Sequence, residues 1–87
     1  MAASKTYLQL LFGQHIKQLR IEQGLTQVEL SSRMSKDQQS LQRIESGNVS
    51  PNLFYLYNLS TALNISLNEL LNFEVKRERK KDSRNKK

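Results

Sequence analysis

Leu25 to Pro51 reads LTQVELSSRMSKDQQSLQRIESGNVSP, and its punctuation decides the architecture. Thr26 and Glu29 stand at capping-box spacing, where each side chain satisfies a free amide of a helix's first turn. A helix therefore runs from about Gln27 to Arg33, with Leu30 and Met34 inward. Asp37 is a good N-cap for a second helix, about Gln38 to Ser46. Leu41 and Ile44 are its inward residues and Gly47 stops it. Only Met34, Ser35 and Lys36 stand between the first helix and the N-cap of the second. A joint so short makes the pair cross at a steep angle.

The flanking sequence supplies three more helices. From about Tyr7 to Gln23, the residues Leu8, Phe12, Ile16 and Leu19 recur at spacings of three and four, an amphipathic stripe. Thr6 can cap its start, and Gly24 stands where a helix favours a left-handed residue. A fourth helix is expected from about Pro51 to Leu63. Ser50 would be its cap, Pro51 its first residue, and Leu53, Leu56, Leu59 and Leu63 its stripe. A fifth, short helix covers about Leu67 to Leu71, with Ser66 and Glu69 as a second capping box. No strand pattern of useful length is present. The expected fold is all-α, a compact five-helix bundle over residues 1–73, with helices two and three as the steeply crossed pair.

Composition bounds the rest. With 87 residues the chain makes one domain with a modest core. The formal charge is +6, a balance that suggests a polyanionic partner. The charge is uneven, however. Residues 1–73 hold six basic side chains (Lys5, Lys17, Arg20, Arg33, Lys36, Arg43) against five acidic ones, whereas residues 74–87 hold eight against three. The segment EVKRERKKDSRNKK, 74–87, has little to bury and is expected to be a basic, disordered tail. As a flank it strengthens non-specific binding to such a polyanion through counterion release; the alternative is a dedicated binding arm. Cysteine is absent, which removes disulfides, thiolate zinc sites and thiol nucleophiles. His15 is the one histidine and is read as a surface residue of the first helix, so no metal or cofactor is expected. The chain has no apolar run of roughly 18 residues and no basic-then-apolar start. A cytoplasmic protein is therefore expected, with no membrane partner.

Thr26, Gln27, Leu30, Asp37, Leu41, Ile44, Glu45, Gly47 and Pro51 stand in one register. Their joint spacing resembles the Cro and phage-repressor (XRE-type) family of helix-turn-helix transcriptional regulators. The resemblance reaches back through Phe12, Gly13, Ile16, Leu19 and Arg20 and forward through Leu53, Leu56, Leu63 and Leu70, so it covers about residues 12–71. It implies a lambda-repressor-like DNA-binding domain. Ser31 stands where the family commonly has Ala, Ser35 where it commonly has Gly, and Lys36 where it commonly buries Val. Lys36 is expected to cover the turn with its stem and carry its ammonium to solvent or phosphate.

In such a motif the second helix enters the major groove with its N-terminal residues against base edges. Here those are Gln38, Gln39 and Ser40, followed one turn later by Gln42 and Arg43. A glutamine amide donates and accepts at once, so it can pair bidentately with adenine N6 and N7. The resemblance matches Gln38 and Gln39 to the base-reading glutamines of lambdoid phage repressors. Arg43 can address guanine or a phosphate. Gln27 stands at a helix N-terminus that favours phosphate, and the resemblance implies that it also braces Gln38. Lys36, Asn48 and Ser50 are further phosphate candidates, which set register without reading bases. Arg20 and Glu45 look like the family's structural ion pair. The plainer alternatives are solvated helix residues for Gln38 and Gln39 and unrelated surface charges for Arg20 and Glu45.

Phe54, Tyr55 and Tyr57, with Leu53, Leu56 and Leu59, make the fourth helix apolar nearly all round. Leu71 and Phe73 add to the surplus. A second apolar face marks an interface, so Phe54, Tyr55, Tyr57, Leu71 and Phe73 are expected to form a two-fold dimer; the alternative is that the aromatics close the intrachain core. A dimer would hold its recognition helices about 34 Å apart on a pseudo-palindromic operator with A·T-containing half-sites. The reading is a homodimeric regulator of double-stranded DNA, similar to small restriction–modification controller proteins or phage-type repressors, in a bacterial or phage setting. The rival is an antitoxin-like protein that binds DNA and a partner protein, although the tail lacks apolar anchors for one. No nucleophile–base pair, metal cluster or phosphate-cradling loop points to an enzyme, and no small-molecule ligand is expected.

Overall fold

The computed structural model describes residues 4–76, and among them are five helices and no strand. They are α1 (Lys5–Glu22), α2 (Gln27–Arg33), α3 (Gln38–Glu45), α4 (Leu53–Ala62) and α5 (Leu67–Leu70). Every one begins on a short polar side chain that accepts a first-turn amide: Ser4, Thr26, Asp37, Asn52 and Ser66. Both expected capping boxes, Thr26 with Glu29 and Ser66 with Glu69, are complete in both directions.

Two starts differ from the sequence reading. Ser4, not Thr6, caps α1, its hydroxyl accepting from Tyr7 N–H at 3.1 Å, so Thr6 lies inside the helix. Asn52, not Ser50, caps α4, its Oδ1 accepting from Tyr55 N–H at 2.8 Å. Pro51 therefore lies in the lead-in, where a missing N–H is equally harmless.

The first four helices end alike. At Gly24, Ser35, Gly47 and Asn64 the backbone turns left-handed, with φ between +55° and +80°. Each turn returns two N–H groups to the last carbonyls of its helix. After α2, for example, Ser35 N–H reaches Ser32 O at 3.0 Å and Lys36 N–H reaches Ser31 O at 2.9 Å. This is the Schellman arrangement, and it fixes the direction in which the next helix leaves. Ser35 takes this conformation without being glycine, which is unusual for a residue with a Cβ.

The core is Phe12, Ile16, Leu30, Met34, Leu41, Ile44, Leu59, Ala62, Leu63 and Leu70, drawn from or bordering all five helices. α1 crosses α3 so closely that a Cβ on Gly13 would come within 2.7 Å of Glu45 O. Glycine is required there for space, not for backbone freedom. Two long polar side chains tie α4 to the rest by its carbonyl end: Gln23 Nε2 donates to Leu63 O at 2.7 Å and Arg33 to Ala62 O at 3.1 Å. Two members of the expected stripes face water, Leu8 near the start of α1 and Leu53 at the start of α4. His15 is also not the surface residue expected: it is half-buried, its ring centroid 5.1 Å from that of Phe73. Residues 74–76 are exposed. The rest of the expected tail, 77–87, lies outside the described residues.

Candidate nucleic-acid interface

α2 and α3 pack against each other and α1 packs behind α3. Burial of Leu41 and Ile44 against this support fixes the rotation of α3 about its axis. The opposite face must then carry Gln38, Gln39, Gln42 and Arg43, all exposed and spaced along one side of the helix. Lys36, Asn48 and Ser50 are exposed on the connections at either end of α3.

A chain of hydrogen bonds sets the polarity of this face from the inside. Arg20 and Glu45 form a buried, two-pronged ion pair, Nε to Oε2 at 2.7 Å and Nη2 to Oε1 at 3.1 Å. Arg20 also donates to Leu25 O at 2.7 Å, so three of its donors are used. A carboxylate accepts only. Gln27, half-buried, therefore turns its amide nitrogen toward Glu45 Oε1 at 3.0 Å and its oxygen outward. That oxygen accepts from Gln38 Nε2 across a longer 3.4 Å. Gln38 is left with its carbonyl oxygen and its second N–H, one acceptor beside one donor, on the exposed face. The ion pair thus links α1 to the end of α3, and through Gln27 it reaches the start of α3 as well. An open groove beside this network, between the end of α1 and the start of α2, has Gln27 and Gln38 among its lining.

Ser40 and Tyr55 depart from the sequence reading. Ser40 is half-buried, and its hydroxyl lies 3.0 Å from Asp37 O and 3.1 Å from the Tyr55 hydroxyl. Tyr55 is half-buried against the core, and burial raises its phenol above the ordinary range. Neither points freely outward, because the contact between the two hydroxyls joins the first turns of α3 and α4. Phe73 likewise folds back on α1, its ring 5.9 Å from Phe12. The segment after α5 is thereby laid against Phe12 and His15 of α1, a long-range contact that local sequence does not signal. Of the five residues expected at a subunit contact, Phe54, Tyr57 and Leu71 are exposed, and Leu53 joins them.

On the loop after α3, Gln9 Nε2 donates to Gly47 O at 3.0 Å and Asn48 Nδ2 to Ser46 Oγ at 3.2 Å. The sequence reading assigned no task to Gln9, Gln23 or Arg33. Each is a long polar residue on a helix or at its end, and nothing local marks its distant carbonyl partner. Among the described residues no group of three or more His, Cys, Asp or Glu side chains could hold a metal ion. No helix among them is long and apolar enough to cross a membrane.

This arrangement has counterparts among known proteins. A family model described as helix-turn-helix, HTH_3, matches residues 16–70. An uncharacterized HTH-type transcriptional regulator, y4dJ of Sinorhizobium fredii (strain NBRC 101917 / NGR234), is 41% identical over 61 residues, which are 70% of this chain and 79% of that protein. Among solved structures, the restriction-modification controller protein C.AhdI from Aeromonas hydrophila is similar with a TM-score of 0.70 at 32% identity, over 72% of this chain and 96% of that one. The clp gene regulator ClgR from C. glutamicum gives a TM-score of 0.69 at 23% identity, over 74% of this chain and 83% of that one. That last likeness is one of fold.

Proposed function

The chain belongs to the helix-turn-helix family HTH_3, a family of DNA-binding transcriptional regulators, and on that footing we propose that it works as a cytoplasmic homodimer on a pseudo-palindromic operator. The observation that carries the reading is the outward face of α3. Gln38, Gln39, Gln42 and Arg43 stand exposed on a helix whose first turn is braced through Gln27 by the buried Arg20–Glu45 pair. The free donor and acceptor of Gln38 match the adenine edge in the major groove. Arg43 addresses guanine or phosphate. Lys36, Asn48 and Ser50, on the flanking connections, contact phosphates and set the register. Gln27, whose side chain is turned onto Glu45 and Gln38, adds a phosphate contact through its backbone N–H at the start of α2.

The dimer uses the exposed apolar side of α4. Leu53, Phe54 and Tyr57 are 73%, 66% and 54% exposed, and Leu71 lies exposed just beyond α5. Apolar area of this kind is stabilised by burial at about 25 cal/mol per Å². A copy related by a two-fold axis supplies a self-complementary cover. The printed description of C.AhdI as a controller protein supports the comparison with small stand-alone regulators. Catalysis has no part in this reading.

Selection of bound duplexes from a random DNA pool tests it. The expected product is an inverted repeat with half-sites about one helical turn apart and A·T pairs within them. Recovery of unenriched sequence would overturn base reading. A single unrepeated half-site, together with a monomer in sedimentation, would overturn the dimer.

A further inference from the structure

We propose that Tyr55 is a positioning residue for DNA recognition, acting through Ser40 to hold the first turn of α3 at its working angle, and that Ser40 serves this bridge and reads no base. The inference rests on the DNA-reading function proposed for α3 and deepens it.

Proton counting gives the direction of the bridge. The Ser40 backbone N–H donates to Asp37 Oδ1 at 3.1 Å, the N-cap bond. The Ser40 hydroxyl has one proton, and Asp37 O, a pure acceptor, lies 3.0 Å from it. For both contacts to be hydrogen bonds, the one to the Tyr55 hydroxyl at 3.1 Å runs from tyrosine to serine. The result is one directed chain, Tyr55 O–H to Ser40 O–H to Asp37 C=O. It needs the phenol protonated, and the half-buried site favours that form. It also leaves the Ser40 hydroxyl with no proton for a base.

The bridge joins two surfaces on different helices. Ser40 lies in the first turn of α3, beside Gln38 and Gln39. Tyr55 lies in the first turn of α4, and its neighbours Leu53, Phe54 and Tyr57 form that helix's exposed apolar face. Gln38 is braced on one flank by Gln27, and the Tyr55 bridge restrains the same turn from the other. A hydrogen bond between two partly buried hydroxyls, 15 residues apart in sequence, fixes the angle between these helices more narrowly than apolar contact does.

Three proteins test the bridge: Tyr55→Phe, which keeps the ring, Ser40→Ala, and the double variant. Affinity is measured for the duplex selected by the wild-type protein and for a random duplex of equal length. Each single variant should lower the ratio of selected to random affinity about three- to tenfold, the scale of one net hydrogen bond. The double variant should lose no more than the worse single. An unchanged ratio, equal loss on both duplexes, or multiplied losses in the double variant overturns the bridge. Hydrogen exchange on the free protein gives a readout that needs no DNA. In Tyr55→Phe the backbone amides of Ser40 and Leu41 should exchange faster than in wild type; unchanged rates overturn the inference even where binding changes. A wild-type protein that shows no preference between duplexes overturns the DNA-reading function itself, a result separable from failure of the bridge.

Discussion

α3 and α4 are of similar length, eight and ten residues, and are built in opposite ways. α3 turns its apolar side chains inward and shows water a row of amides and a guanidinium. α4 shows water Leu53, Phe54 and Tyr57 and buries Ser60, whose hydroxyl is satisfied by Tyr57 O at 2.7 Å. A polar face is at no disadvantage in water and keeps its donors and acceptors for a ligand that offers the same in return. An apolar face is at a disadvantage until something covers it. Supports differ too: α3 is held by charge and directed hydrogen bonds, α4 mainly by packing, with two polar ties at its carbonyl end and the Tyr55–Ser40 bond at its start. On the proposed function, the contrast separates a surface that would select from a surface that would associate.

The largest effect that would break this contrast lies beneath α3. Glu45→Ala leaves the Arg20 guanidinium buried without its partner and should cost about 3–5 kcal/mol in urea unfolding; a loss below about 1 kcal/mol would mean that packing alone holds α3. On the α4 side, Phe54→Asp should change the stability of the isolated subunit by no more than about 0.5 kcal/mol. It should weaken self-association by about 2 kcal/mol or more, read by sedimentation against concentration. Large unfolding of the subunit instead would place Phe54 in the core. Gly13→Ala sharpens the α3 side at backbone level: a methyl forced against the Glu45 carbonyl should destabilise by about 1–3 kcal/mol, measured as a lowered Tm.

Gln38→Ala probes the selecting face alone. It should cost about 1–3 kcal/mol on the selected duplex and little on random DNA, with no change in self-association. The smallest effect belongs to Glu29, whose carboxyl is held below its ordinary value first by the Thr26 backbone N–H and then by the Thr26 hydroxyl. A depressed folded pKa means that this cap supports α2 above the ordinary carboxylate range and is lost as pH falls through the folded value. Glu29→Gln should therefore flatten the acid limb of a helicity titration; an identical limb in both proteins would remove the carboxylate from the capping account.

The helices were legible because their signals are local. A capping serine, threonine or aspartate acts on an amide three residues on, so Thr26–Glu29, Asp37–Ser40 and Ser66–Glu69 could be read from spacing. The same holds for the glycines at 24 and 47. The caps at Ser4 and Asn52 were missed because a candidate stood within two residues of each, and only the backbone path chooses between neighbours. The orientation of Gln38, Gln39, Gln42 and Arg43 followed from the period of Leu41 and Ile44 on the same helix.

By itself, then, the sequence determined five helices, a tight joint after α2 and a polar outer face on α3, because each depends on residues within about one helical turn of one another. Only the tertiary structure decided that Ser40 and Tyr55 share a hydrogen bond, that Phe73 folds back over His15 and Phe12, and that Gln27 hands the charge of Glu45 on to Gln38. Those contacts join residues whose meeting depends on the angles at which helices cross. Such angles are set by the summed packing of the whole core, which no single stretch of the chain contains.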